Sequence, residues 1–532
     1  MSQFLRRLML ALFAGGLVLS LASKNVSAQI YTDLHDFDCC SGPDHPELLA
    51  QGRDGNLYGT LPFAGSFGDG VVFRASTSGT VVTIHNFDKT DGRAASGGLT
   101  LGLDGNFYGA APDGGAFGPG SIFKITPAGT LTVLHDFAAD FSEGAFPVAP
   151  PVRALDGNFY GLTSWYGVAY KISPSGVFKV LTHGIQSTNI APLIQANNGN
   201  FYGTTSSGGA IDQGTIFRMS PSGVVKVLYS FDETHGCQPE GPLVQGSDGN
   251  FYGTTPRCGA LGGGVVFKIT PKGVLTVLHN FDSSVTVDGY NPLAGLVSAT
   301  DGNFYGSASS GGTSGVGVLF RTTRAGSFTV LHNFVQSTGD YPDATPMQQT
   351  DGKIYGLTRG GGGADTGVLY SLDVGLDPFV SLLSMSGKAD QVVQILGNGL
   401  TGTTSVKFGT GSANFTIISD TYMTAVVPAT GTTGYVTVTT PSGTLTSSKT
   451  FKVIPVIKSF TPTNGPVGTQ VTITGSGFIG ATKVTFGGVK ATSYTVNSGT
   501  QITATVPTGA ITGKIAVTTP GGTASKGIFT VS

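Results

Sequence analysis

The sequence predicts an all-β protein, a seven-bladed β-propeller closed by its own N-terminal strand and followed by two immunoglobulin-like β-sandwiches. Three observations predict it. First, the hairpin Asp54-Gly55-Asn56-Leu57-Tyr58-Gly59 is written seven times, again at Asp104, Asp156, Asn198, Asp248, Asp301 and Asp351. Second, its tyrosines Tyr58, Tyr108, Tyr160, Tyr202, Tyr252, Tyr305 and Tyr355 are 50, 52, 42, 50, 53 and 50 residues apart, a period that suits a four-stranded blade and no helical repeat. Third, charged residues make up only 11% of the 532 while glycine occurs 83 times, the profile of a β-rich chain full of tight turns.

Residues 1-28 are expected to be a secretory signal peptide. Arg6 and Arg7 precede an apolar run from Leu8 to Leu21, and Val26-Ser27-Ala28 offers the small residues that a signal peptidase reads. A run of about 14 apolar residues falls short of the roughly 20 that span a bilayer. No later segment is apolar enough to span one either, so the expected location is secreted or cell-envelope. The net charge of -2 carries no run of Lys or Arg, which leaves no electrostatic footprint for nucleic acid.

Residues 29-374 are expected to form the propeller. In the fifth copy, Gly241 to Thr255, then Gly264 to Ile269, then Val274 to Phe281 read as four short strands. Asp248-Gly249 is expected at the centre of a two-residue turn of the I′ kind, where both residues need positive φ. Pro271-Lys272-Gly273 closes the third strand onto the fourth, and small residues such as Gly253 are expected to let neighbouring sheets approach. The fourth-strand motif appears first as Leu34-His35-Asp36-Phe37, before any Asp-Gly-Asn hairpin, and no such motif follows the last hairpin. Hairpins and fourth strands therefore match only if the segment Tyr31 to Phe37 completes the final blade, which removes the exposed sheet edges of an open array.

The unit Asp-Gly-Asn-Phe-Tyr-Gly-Thr-Thr, a Gly-rich stretch, Val-Phe-Lys-Ile-Thr-Pro-x-Gly and Leu-His-x-Phe resembles the bacterial tandem repeat called GloVer, found in exported proteins with varied surface anchors. The resemblance covers about residues 30-373 and implies location and architecture, with no reaction attached. More distantly, the hairpin is similar to the propeller repeats of two-component sensors and of NHL proteins. Residues 454-532, with Phe460-Thr461-Pro462, Val471-Thr472-Ile473-Thr474-Gly475 and Val484-Thr485-Phe486-Gly487-Gly488, closely resemble an IPT/TIG domain. Residues 375-453 repeat that plan more loosely, with Val406-Lys407-Phe408-Gly409 and Ala425-Val426-Val427-Pro428. In bacterial surface proteins such modules imply spacers or adhesion units.

Chemistry must appear as a departure from the repeat. His35, His85, His135, His279 and His332 occupy equivalent places on separate blades and cannot converge on one ion, so they are expected to be structural. The basic residues Arg74, Lys124, Lys171, Arg218, Lys268 and Arg321 are expected to pair locally or to snorkel outward. No metal site and no cofactor is expected, since neither a zinc-like spacing nor a phosphate loop nor a Gly-x-Ser-x-Gly elbow occurs. Cys237 and Cys258 flank one hairpin on loops of one face, where a disulfide is expected; Cys39 and Cys40 are adjacent and their pairing stays open.

The copies differ most on the loops that join second to third strand and fourth strand to next blade, which share one face. The ligand-binding candidates lie there: Trp165, Tyr166, Asp232, Glu233, His235, Asp288, Tyr290, Asp340 and Tyr341, with Asp44, His45, Asp91, Arg93, Asp140, Glu143 and Asp343 on the same rim. Carboxylates with aromatics on a concave rim suit a carbohydrate or protein ligand. The expected function is an exported, non-catalytic binding or adhesion protein. The alternatives are a secreted polysaccharide hydrolase or lyase using rim carboxylates, and a structural component of the cell envelope.

Overall fold

The computed structural model describes residues 29–38, 48–185, 191–284 and 286–532. The expected signal segment, Cys39, Cys40, Asp44 and His45 lie outside the described residues. No described helix is long and apolar enough to cross a membrane.

The repeat region folds into seven four-stranded antiparallel sheets. The fifth is typical: Val244–Gln245, Phe251–Thr255, Gly262–Ile269 and Leu275–Asp282, paired in that order. Its second strand is buried along its whole length, whereas its fourth is half-exposed. First strands of neighbouring sheets touch one another, so they form the inner ring and the fourth strands the outer edge. The last sheet is made of Met347–Gln348, Ile354–Leu357 and Val368–Asp373, and its fourth strand is the N-terminal Ile30–Asp36. There His35 pairs with Leu369 and Asp33 with Tyr370, which is the pairing that the phase of the repeat requires.

The turn chemistry differs from expectation. The Asp-Gly hairpin is not of the I′ kind: Gly249 N–H donates to Gly246 O at 3.0 Å, and left-handed backbone is found at Gly249 (φ 80°) without Asp248. One left-handed residue suffices because the turn holds three residues, the last being the glycine. Asp248 is thereby freed for other partners. Its Oδ2 accepts from Tyr252 Oη at 2.8 Å and from Asn250 Nδ2 at 2.8 Å. The same Tyr-to-Asp bond recurs from Tyr58, Tyr108, Tyr160, Tyr305 and Tyr355. Where the repeat has Asn198, its Nδ2 donates to Tyr202 Oη instead.

Five of the seven tyrosines lie on the aromatic ring that begins the second strand of the next sheet. Tyr58 stacks on Phe107 with ring centroids 4.1 Å apart, and Tyr108 on Phe159, Tyr160 on Phe201, Tyr202 on Phe251 and Tyr252 on Phe304 follow at 3.8–4.3 Å. The series ends on aliphatic partners: Tyr305 packs in one cluster with Ile354, and Tyr355 in one with Leu57. The glycine after the tyrosine serves its own sheet, not the approach of a neighbour. A Cβ on Gly253 would stand 2.7 Å from Phe267, its cross-strand partner.

The fourth-strand histidines bind within the disc. His85, His135 and His279 meet Asp91, Glu143 and Asp288 at 2.7, 3.0 and 2.8 Å, each acid standing just before a glycine of the following loop. His135 and His279 also stack on Phe178 and Phe328 of the next sheet. His332 stacks on Tyr31 with centroids 3.9 Å apart, but the position of the acid is taken by Thr338 and its Nε2 is buried without a partner.

After the disc come two sandwiches. The first has sheets of Ser381–Leu382, Val392–Leu396, Tyr422–Val426 and Phe415–Ser419 against Gly411–Ala413, Ser405–Phe408, Val436–Thr440 and Gly443–Thr446. The second repeats that order, with Val456–Thr461, Gln470–Ser476, Gln501–Thr505 and Tyr494–Ser498 in one sheet. Alternating apolar and threonine residues bury one face of each strand, as in Val436–Thr440.

The first sandwich is seated on the face of the disc that carries the Asp-Gly-Asn turns. Leu383, Leu396 and Tyr422 join Tyr58, Leu101 and Phe107 in one core cluster. Arg53 lies over the Tyr422 ring, 4.7 Å from its centroid, and donates to Gln394 Oε1 at 2.8 Å. Thr421 Oγ1 donates to Arg53 O at 2.7 Å, and Asn398 Nδ2 to Thr350 Oγ1 at 2.8 Å.

Two outcomes follow for stability. Phe251→Ala, which empties a fully buried site between two sheets, is expected to cost about 3–5 kcal/mol in urea unfolding, whereas Asp248→Asn, which copies the natural Asn198, is expected to cost under about 1 kcal/mol. Burial holds the His332 imidazole at about 4, below its unfolded value of about 6.5. The folded state therefore favours the neutral ring: its contribution is intact above about pH 6.5 and is lost as pH falls toward about 4. His332→Phe keeps the stack on Tyr31 and should flatten the fall of melting temperature across that window; superimposable profiles would refute the assignment.

Candidate functional site

The loops from second to third strand and from fourth strand to next sheet lie on the side of the disc opposite the first sandwich. The tips of the former share a repeat position, nine residues after the conserved tyrosine. Phe67, Phe117, Ile211 and Leu261 stand there, all exposed, with Phe67 at 64% and Phe117 at 61%. In the last two full-length loops Ser314 and Ala364 take the place. Burial would have drawn such side chains inward, so four large apolar tips left in solvent on one face are the informative exception.

In the shortened third sheet the loop carries Trp165 and Tyr166, exposed at 50% and 66%. The loop is held by Trp165 N–H to Ala145 O at 3.1 Å and Ser164 N–H to Phe146 O at 3.1 Å, and Tyr166 is left-handed at φ 60°. Phe141 and Phe146, from the preceding inter-sheet loop, approach Trp165 with centroids 6.3 Å away. Trp165 and Tyr166 meet edge to face at 5.7 Å. Sequence reasoning passed over Phe141, Phe146 and the four tip residues. The recurrence of a large apolar residue at one offset within a Gly-rich loop is the signal that finds them.

The other candidates separate into open and occupied groups. Asp232 binds His235 Nδ1 at 2.9 Å and Thr234 Oγ1 at 2.9 Å, and Gln213 Nε2 donates to Glu233 Oε1 at 3.2 Å, all on exposed loop surface. Burial acts to raise the Asp232 carboxyl, but the bonds from His235 and Thr234 outweigh it and hold it below the usual range. Asp288 is taken by His279, and Tyr290 packs partly buried against the neighbouring core, with its backbone bridged to Ser310 at 2.9 Å. Asp340 is buried at 4% and pushed up by that burial and by Asp365. Tyr341 stays partly open, with Arg359 over its ring at 5.0 Å and the same guanidinium 3.4 Å from Asp343. Asp288 is thus held by a histidine of the disc, while Tyr290 and Asp340 are tied to it through backbone bridges to Ser310 and Gly360.

The carboxylates Asp91, Glu143, Asp232, Asp288 and Asp343 each have their own imidazole or guanidinium. Sequence reasoning also missed Glu240, which burial pushes up while Arg257 opposes. Cys237 and Cys258 form a disulfide that ties two loops of this face across 21 residues. Among the described residues no three His, Cys, Asp or Glu side chains group as a metal site. Among the basic residues of the third strand, Lys171 pairs with the Asp156 of its own hairpin at 2.8 Å.

Residues 13–192 and 164–370 match the model of the Gloeobacter/Verrucomicrobia repeat, and residues 455–531 match the IPT/TIG domain. A comparison with curated proteins finds no match. Among solved structures, the chain is similar to a catalytically inactive virginiamycin B lyase from Staphylococcus aureus with quinupristin, at 13% identity and a TM-score of 0.48, over 65% of this chain and 99% of that one. It is similar to a fungal alcohol oxidase of the AA5 family in complex with copper, at 14% identity and a TM-score of 0.43, over 81% of this chain and all of that one. SGBP-B from a xyloglucan utilization locus of Bacteroides uniformis is similar at 20% identity and a TM-score of 0.16, over 28% of this chain and 48% of that one. With matches spanning well over half of its length, and with the seven-fold hairpin just described, the chain belongs to the Gloeobacter/Verrucomicrobia repeat family.

Proposed function

We propose that this is an exported, non-catalytic binding protein: a seven-bladed propeller of residues 29–374 that presents its loop face to an extended carbohydrate. Residues 1–28 direct its export to the cell envelope or beyond. Residues 375–453, a divergent IPT/TIG-like module, and 454–532 act as the stalk. The observation that carries the reading is the set of exposed tips, Phe67, Phe117, Trp165, Tyr166, Ile211 and Leu261, on one face of a rigid disc. Flat aromatic side chains bring large contact area at low entropic cost, and Asp232 and Glu233, exposed although bonded to His235 and Gln213, keep lone pairs for hydroxyl groups of a ligand. Asp91, Glu143 and Asp288, each already bonded to a histidine, are not the free acid and base that glycoside hydrolysis needs.

The chain has a single tryptophan, so its emission reports directly on this face. Titration of the full chain with soluble polysaccharides is expected to shift and saturate Trp165 emission for at least one of them. Phe117→Ala should weaken that binding about tenfold, the loss typical of an aromatic anchor. Retention of a protein partner with no glycan bound would replace the carbohydrate reading by a protein one. Retention of neither, or of glycan undiminished by Trp165→Ala, would refute the proposed face.

A further inference from the structure

A second site lies on the opposite side of the disc. A cavity of about 490 Å³ opens between the turns of the third and fourth sheets and the first sandwich, within the range of about 300–1,000 Å³ usual for small-molecule sites. Its position coincides with a departure from the repeat. The second residue of each first strand is Gln51, Leu101, Arg153, Gln195, Gln245, Ser298 and Gln348 in turn. The glutamines tie neighbouring turns together, as Gln195 Oε1 does in accepting from Leu155 N–H at 2.7 Å and Gln245 Oε1 from Asn197 N–H at 2.9 Å. Only Arg153 brings a charge to this ring.

Arg153 does the tie with Nε alone, donating to Leu101 O at 3.1 Å. Among the described residues no carboxylate meets the rest of its guanidinium, and burial lowers its pKa with nothing opposing. From the sandwich, the exposed Lys449 lines the same cavity. Lys452, also in the wall, donates to Asn197 O at 2.9 Å. The one carboxylate in the lining, Asp156, is already bonded to Lys171 at 2.8 Å and to Tyr160 at 2.9 Å. Among the described residues neither Arg153 nor Lys449 has a carboxylate partner, so the two cations that line this cavity are free to take up an anion through charged hydrogen bonds. The rest of the wall combines apolar surface from Leu155 and Met385 with the hydroxyls of Ser384 and Thr450.

We propose that this cavity binds a small anionic saccharide, its carboxylate or sulfate held by Arg153 and Lys449 and its ring resting on Leu155 and Met385. The loop face and its Trp165 are remote from this site, so the two readings fail independently.

Isothermal titration of the full chain with glucuronate, glucose 6-sulfate, glucose and inorganic sulfate tests it. At least one of the two sugar anions is expected to bind, at least tenfold more tightly than glucose or inorganic sulfate. Arg153→Gln restores the residue found in four other sheets and should fold; it is expected to weaken the sugar anion tenfold to a hundredfold, the loss of a charged hydrogen bond. Lys449→Ala, a change at an open side chain, is expected to weaken it as well. No anion binding, equal binding of glucose, inorganic sulfate as tight as the sugars, or full affinity in Arg153→Gln would each overturn the proposal.

Discussion

The structure depends on one contact, the stack of a repeat tyrosine on the aromatic ring that opens the second strand of the next sheet. Each tyrosine is buried between two sheets, yet its hydroxyl reaches the turn of its own hairpin and bonds to Asp, or to Asn198 in the fourth sheet. The bond fixes the ring at both ends: its face belongs to the neighbour, its tip to its own turn. A buried hydroxyl without that partner would carry a desolvation penalty of about 1–3 kcal/mol. This explains why Asp and Tyr recur together at a spacing of four, and why Asn198 is an acceptable exception, since it donates where Asp accepts. It also explains why the disc tolerates loops of different length, because neither ring nor turn lies in the loops that vary.

The outer edge solves the same problem with a second pair. A histidine on the fourth strand bonds to an acid of the following loop and, in two sheets, stacks on a ring of the next. Where the acid is missing, at His332, the ring still stacks on Tyr31, and Tyr31 Oη donates to Thr338 O at 2.6 Å. Tyr31 belongs to the N-terminal strand that closes the last sheet. The seam has thus lost the acid and kept the stack, made there between the two ends of the repeat region, and the pH sensitivity of His332 follows from burial without that acid.

Much of the fold was legible because a repeated scaffold reports each of its rules several times. The number of hairpins and the phase mismatch at the ends were both readable from spacing alone. The kind of turn was not, because Asp-Gly serves two turn geometries equally well and only the backbone bond of Gly249 to Gly246 distinguishes them. The occupied carboxylates were not legible either. Asp288 and Glu143 look like free loop acids until His279 and His135, on the strand before, are seen to face them. The seat of the first sandwich is a single event with no internal copy, and nothing in the spacing of Arg53, Tyr422 and Asn398 announces that they meet.

Seating the sandwich on the turn face assigns different work to the two sides of the disc. The turn face is the conserved one within the molecule, since every sheet presents nearly the same Asp-Gly-Asn surface there. A module that docks on such a surface finds regular backbone acceptors, and Gln394 and Lys452 use them at Leu103 O and Asn197 O. The loop face varies from sheet to sheet and is left open, so apolar tips collect on it without interfering with the stack beneath. A regular surface covered by a fixed partner is also where a single charged exception is most informative. Among seven equivalent positions filled otherwise by neutral residues, Arg153 has no counterpart in the logic of the disc, and its unmatched charge points to something outside the repeat.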